Sequence, residues 1–133
     1  MFPHLYVDYF RLGTHVAGII GSKTFGVAKK VKIKVVGVAV GANTNASTVR
    51  KGLEVVVNDH IKERQKKGYE GSVMNISIAF SASEAVDRAV QAAIDHGIHV
   101  AVGAGNDNND ACGWSIARLK DSLCVAAIDF KNV

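Results

Sequence analysis

One proline in 133 residues leaves no room for a collagen-like, polyproline or linker-rich chain. Two cysteines, Cys112 and Cys124, are too few for a disulfide framework, and their spacing matches no common zinc pattern. They do not settle the redox compartment, and the sequence leaves open whether they pair. No apolar stretch reaches the roughly 18 residues that a membrane-crossing helix needs. The start, Met1-Phe2-Pro3-His4-Leu5-Tyr6-Val7-Asp8, lacks a basic segment followed by an apolar run, so it does not read as a signal peptide. Acidic residues are outnumbered, 12 against 16 basic ones, which gives a net charge of +4. What is present is ordinary for a globular chain: 48% apolar and 21% charged residues, which argues against disorder. Thirteen glycines exceed the roughly 9 expected at this length, so tight turns and close backbone approaches are expected. On length alone the chain reads as one small domain with a modest core.

The positive charge is clustered. One group lies in Lys62-Glu63-Arg64-Gln65-Lys66-Lys67, and another comprises Lys29, Lys30, Lys32 and Lys34. A basic surface can attract nucleic acid or an acidic membrane. No aromatic residues interleave with these lysines, so the stacking half of a nucleic-acid site is missing. The clusters read as a solvated helix end and a polar strand face, and neither nucleic acid nor membrane is expected as a partner.

Hydrophobic periodicity organises the rest. Residues 31–40, VKIKVVGVAV, alternate and then become wholly apolar, as in a strand entering a buried sheet. The turn Gly41-Ala42-Asn43-Thr44-Asn45 comes next, and Ser47 or Thr48 can cap a helix. Val49, Leu53, Val56, Val57 and Ile61 give that helix one apolar face, its charged tail runs to Lys67, and Gly68 stops it. Residues 72–80, SVMNISIAF, predict a second strand. Ser81 and Glu84 have capping-box spacing ahead of a second amphipathic helix that stops at Gly97. Ile98 to Val102 predicts a third strand and Leu123 to Ile128 a fourth. Alternating strands and helices predict an α/β fold: three layers, a mostly parallel sheet and helices on both faces.

Ligands of such sheets sit beyond the carboxyl ends of the strands. Three segments fall there: Gly41 to Asn45, Ser77 to Phe80, and Gly103 to Asn108. Gly103-Ala104-Gly105-Asn106 is a glycine-supported turn after an apolar strand. It lacks the full dinucleotide spacing and the Lys-Ser/Thr of a phosphate loop. An asparagine held on such a turn can instead donate a hydrogen bond to an oxyanion. His15, in Gly13-Thr14-His15-Val16-Ala17-Gly18, reads on its own as a packed, hydrogen-bonded histidine. Two glycosylation sequons occur, Asn45-Ala46-Ser47 on a loop and Asn75-Ile76-Ser77 in a strand predicted to be buried, where it reads as a chance match. No clustered oxygen ligands mark a metal site.

Taken together and in order, these segments resemble the subtilisin-type serine proteases. GTHVAG resembles the family's HGTHVAG, and GSKTFGVAKKVKI resembles the stretch after it. MNISIAF is similar to the substrate-binding strand, usually NMSLGG, and AVGAGNDNNDAC to the oxyanion segment. Within the family, HIKERQKKGYEGS and NDNNDAC resemble the proteinase K branch, in particular the cerevisin-type fungal vacuolar proteases. The resemblance runs from about Asp8 to Asp129.

The resemblance implies roles residue by residue. Asn106 matches the oxyanion asparagine. Ser77, Ile78, Ala79 and Phe80 match the strand that pairs with extended substrate, with Ala79 and Phe80 in place of the usual glycines. Gly103, Ala104 and Gly105, in the oxyanion segment, are expected to bind substrate as well. The catalytic base of the family is the first histidine of HGTHVAG, and that place holds Leu12, with Arg11 in place of the preceding glycine. His15 matches the second, structural histidine, and Asp8 matches the aspartate of DGxGHGTH rather than the triad acid. Leucine accepts no proton, so the base role is empty.

In the family the triad acid lies roughly 30 residues before the histidine and the nucleophilic serine roughly 155 after it. The expectation is therefore one partial peptidase domain over 1–133, lacking the aspartate segment and the serine segment. Relatives bind calcium, which the resemblance alone would bring here; no other cofactor is expected. It also suggests a vacuolar or secreted location. The expected function is that of a subtilisin-type serine endopeptidase present as a fragment or degenerate copy, inactive by itself. The alternatives are a non-catalytic peptide-binding module (a pseudoprotease) and a nucleotide-binding α/β domain using Gly103 to Asn106. Expected partners are a polypeptide substrate or peptide ligand, and a second copy through an exposed sheet edge.

Overall fold

The computed structural model describes residues 11–39 and 44–131. Asp8 and the rest of the first ten residues lie outside the described residues. So do Val40, the end of the first predicted strand, and Gly41 to Asn43, most of the turn expected after it. The chain divides into two compact units, Met1–Asn45 and Ala46–Val133.

In the first unit α1 runs over Leu12–Gly21. Arg11 enters it in a left-handed conformation, φ 53°, and the chain turns back on the helix end through Val27 N–H to Ile19 O (3.1 Å) and Ala28 N–H to Ile20 O (2.8 Å). Gly26 makes this return sterically feasible, because a Cβ there would lie 2.3 Å from the Ser22 nitrogen. The Lys29 ammonium donates to the Thr24 and Gly26 carbonyls at 3.0 and 2.9 Å. Residues 31–39 form no strand, contrary to the expectation from VKIKVVGVAV. Alternation specifies a strand only where a neighbour completes the ladder. None does so among the described residues, and Val35 is 79% exposed.

The second unit holds α2 (Ala46–Glu63), β1 (Ser72–Ile76), α3 (Glu84–Asp95), β2 (Ile98–Gly103), a short 3-10 turn (Ala111–Gly113) and β3 (Leu123–Val125). The strands pair in the order β1-β2-β3, all parallel, so the α/β, parallel-sheet expectation holds. Alternate strand residues Met74, Ile76, Ile98, Val100 and Val102 are buried, as are Val86, Val90 and Ala93 of α3. That is the period-2 and period-3.6 arithmetic of a helix laid on a sheet. In α2, Val49 and Leu53 of the predicted face are buried.

Boundaries differ from expectation in ways with local causes. Helix α2 begins at Ala46, so Ser47 and Thr48 sit inside its first turn rather than capping it, and it ends at Glu63, with turns leading to Gly68. Ser81 is not the cap of α3. It pairs in an isolated antiparallel bridge with Trp114, and Ser83 takes the N-cap place. Strand β1 stops at Ile76 rather than Phe80, and β3 at Val125 rather than Ile128. Asn75 is exposed, not buried, because it points away from the α3-covered face. The stop at Gly97 holds, with φ 91° and its N–H on the Ile94 carbonyl at 2.7 Å.

One polar cluster ties the ends of these elements together. Buried His60 of α2 has Nε2 2.9 Å from the His96 carbonyl at the end of α3. A carbonyl only accepts, so that nitrogen donates. Nδ1 faces the Tyr69 hydroxyl at 2.9 Å, which in turn lies 3.0 Å from the Ser72 hydroxyl at the start of β1. Every polar atom of the imidazole is thereby satisfied inside the core.

Ile98 is 2% exposed at the head of β2. Ile98→Ala is expected to cost about 2–5 kcal/mol through the cavity it leaves. Val27→Ala, at an 88% exposed position, is expected to shift stability by less than about 0.5 kcal/mol. Urea denaturation followed by circular dichroism measures both.

Candidate functional site

Parallel pairing of β1 with β2 places Ile76 opposite Val102. The two segments singled out from sequence, Ser77 to Phe80 and Gly103 to Asn106, therefore leave the same carboxyl edge of the sheet side by side. Ser77 and Ala79 are exposed, Ile78 and Phe80 half-buried; Gly103, Gly105 and Asn106 are exposed and Ala104 half-buried. Of the third segment, only Thr44 and Asn45 are described, and they belong to the other unit.

The far end of each segment is fixed by the chain after the 3-10 turn. Ser115 N–H donates to the Phe80 carbonyl at 2.9 Å, and the Ser115 hydroxyl accepts from Ser83 N–H at 2.6 Å. Trp114 bridges to Ser81, and its indole nitrogen lies 3.7 Å from where a Cβ on Gly105 would stand. Gly105 has φ 98°, which disfavours any side chain there. Ala104 N–H donates to Val125 O at 2.9 Å, so β3 steadies the other wall. Asn106 is exposed, and its side chain makes no hydrogen bond among the described residues. It is oriented by its backbone alone, which leaves its amide available to a ligand oxygen.

Residues that sequence reading passed over hold this frame. Asp87 of α3 is buried and accepts from Ile116 N–H at 2.9 Å and from the Arg118 guanidinium Nε at 2.7 Å. The Ser122 hydroxyl lies 2.9 Å from the Ile116 carbonyl. Ile116 is a buried β-branched residue at φ 72°, a conformation that persists only when its surroundings impose it. The only sequence signal was an aspartate on the apolar side of a helix, among Val86 and Val90.

Leu12 opens α1 and is 53% exposed; His15, one turn on, is also exposed. They belong to the first unit, and the strand-end segments to the second. Among the described residues no three His, Cys, Asp or Glu side chains gather into a metal site. A groove of about 410 Å³ lies between α2 and α3, with Leu53, Val57 and Ala89 among its lining residues.

With this geometry in place the comparisons decide the family. The family model described as Subtilase family matches residues 12–132. The chain belongs to the subtilase family. It is 47% identical over 124 residues to Subtilisin-like protease 3 of Saccharomyces cerevisiae, covering 90% of this chain and 26% of that protein. Cerevisin of the same yeast is 45% identical over 119 residues, 86% of this chain and 19% of that one. Subtilisin-like serine protease Pen ch 18 of Penicillium rubens is 45% identical over 119 residues, 86% of this chain and 24% of that one. The crystal structure of a cold adapted subtilisin-like serine proteinase superposes with a TM-score of 0.70 at 36% identity, covering 84% of this chain and 38% of the other. This subtilase chain thus spans about a quarter of the length of the curated relatives it matches.

Both cysteines are free and exposed. The Cys112 backbone N–H donates to Asp110 Oδ1 at 2.9 Å, which holds the Asp110 carboxyl below its usual range. In turn the hydrogen bond with Asp110, and the charge of Asp110, push the Cys112 thiol up. Thiolate is the reactive form. Asp110→Asn is therefore expected to speed alkylation of Cys112 by iodoacetamide at about pH 8, near the usual thiol range, with Cys124 as internal reference in the same mass-spectrometric run.

Proposed function

We propose that this chain presents the peptide-cradling edge of a subtilisin-type proteolytic domain and performs no triad-based hydrolysis by itself. The observation that carries the reading is the Ile76-to-Val102 register, which sets Ser77 to Phe80 beside Gly103 to Asn106 at one sheet edge. An extended polypeptide laid there would pair main chain to main chain with the first segment, as strand-adding ligands do. Asn106 would donate its amide to a carbonyl oxygen of that peptide.

Leu12 supports the second half of the reading. It stands where the family's HGTHVAG motif carries its general base, the first of the two histidines. A hydrocarbon side chain has no lone pair to take a proton from a hydroxyl nucleophile. In a protein of the subtilase type with an intact triad, serine attacks the peptide carbonyl, histidine takes its proton, and aspartate orients the histidine. Here two strand-end segments side by side and an exposed asparagine amide support the binding half of that apparatus. The ligand class is polypeptide; nucleic acid and membrane are not partners in this reading.

Two measurements test it. An active-site-directed fluorophosphonate probe is expected to leave the purified chain unlabelled, and covalent labelling would overturn the claim of no turnover. Fluorescent extended peptides are expected to bind saturably; no binding to a chain shown to be folded by circular dichroism would remove the groove.

A second copy of the chain is also proposed as a partner. The edge strand β3 leaves Leu123 at 65% and Val125 at 61% exposure. Among the described residues no further strand pairs with β3, and edges of this kind template strand pairing between chains. Sedimentation velocity is expected to show concentration-dependent association that Val125→Lys reduces; monomer at all concentrations would refute it.

A further inference from the structure

The function proposed above leaves one motif unused, the sequon Asn45-Ala46-Ser47. We propose that Asn45 is an acceptor for an N-linked glycan, in preference to the second sequon at Asn75. Both asparagines are exposed, so exposure does not separate them. Their backbone settings do. Asn45 is the last residue before α2, which begins at Ala46, so its own backbone lies outside regular structure, and Ser47 is exposed in the first turn of the helix. Asn75 lies inside β1, in register with Ala101 of β2.

The chemistry favours the first setting. In the transfer, Asn Nδ2 attacks the anomeric carbon of a lipid-diphosphate-linked oligosaccharide. The N–C bond forms as the C–O bond to phosphate breaks, the lipid diphosphate leaves, and Nδ2 gives one proton to a base of the transferase. No oxidant or reductant is involved. The asparagine and the hydroxyl two residues on must both be presented to that enzyme, which suits surface loops. A position just outside a regular element accepts a bulky addition better than one inside a strand ladder. At the second sequon Asn75 and Ile76 lie instead in the ladder with β2, opposite Ala101 and Val102.

The test is expression of the full chain behind a cleavable secretory leader in yeast, with total extracts treated with or without an endoglycosidase. A one-glycan shift is expected. It should be lost in Asn45→Gln and in Ser47→Ala and retained in Asn75→Gln. Reading total extract keeps the result independent of whether a variant folds. As a second readout, deglycosylation by an amidase that converts the acceptor to Asp should mark residue 45 in the peptide map. No shift in the parent, loss of the shift in Asn75→Gln alone, or equal loss in both asparagine variants would overturn the proposal.

Discussion

The second unit depends on the parallel register between β1 and β2. It is held by burial on one face, where Met74, Ile76, Val100 and Val102 are covered and α3 supplies Val86, Val90 and Ala93. A one-residue slip would turn Val73 and Asn75 into that core and expel Met74 and Ile76. Because apolar burial contributes roughly 1.5–3 kcal/mol per large side chain, no slipped arrangement competes. The functional geometry is a by-product of this packing. Ser77 and Gly103 emerge together because Ile76 and Val102 are buried together.

A register alone would leave both strand-end segments as free loops. The stretch 114–118 prevents that, and a buried carboxylate holds the stretch. Asp87 lies within an otherwise apolar helix face, a position where an unpaired charge would be costly. It is tolerated because Ile116 N–H and Arg118 both donate to it. The same bonds hold Ile116 at a left-handed backbone angle that a β-branched residue does not choose alone. Strain at Ile116 and desolvation at Asp87 are offset by one another's hydrogen bonds. Trp114 and Ser115, next in the chain, then reach Ser81, Phe80 and Gly105.

Range decides what was legible in the sequence. Helices α2 and α3 and strands β1 and β2 were visible because their apolar periodicity is local and each has the partner that the pattern presumes. Gly97 and Gly105 were readable because their backbone angles demand glycine. Residues 31–39 misled because their pattern requires a neighbouring strand, and a pattern cannot supply one. Ser81 misled because its capping spacing with Glu84 competes with a pairing to Trp114, in a distant segment that no local rule contains. Asp87 escaped notice for the same reason, since both of its donors, Ile116 and Arg118, come from that same distant stretch. The candidate segments at the strand ends were legible from topology, but the clamp that shapes them was not.

The clamp also limits what the proposed groove can hold. Phe80 has its carbonyl taken by Ser115 N–H, and Ser81 is paired with Trp114. The Phe80 carbonyl is thereby already engaged within the protein. The main chain left for an extended peptide is thus Ser77 to Ala79, about one hydrogen-bonded pair of residues in a strand ladder. So short a ladder gives little affinity alone, because each net hydrogen bond contributes only about 0.5–1.5 kcal/mol. Binding would have to draw on side-chain burial as well, against half-buried Ile78 and the wall from Gly103 to Asn106. Ala79 and Phe80, in the place of two glycines, narrow this further, since each adds a side chain where a glycine would leave room for a second backbone. The proposed groove would therefore favour a ligand segment with small side chains at the point of closest approach over a bulky one.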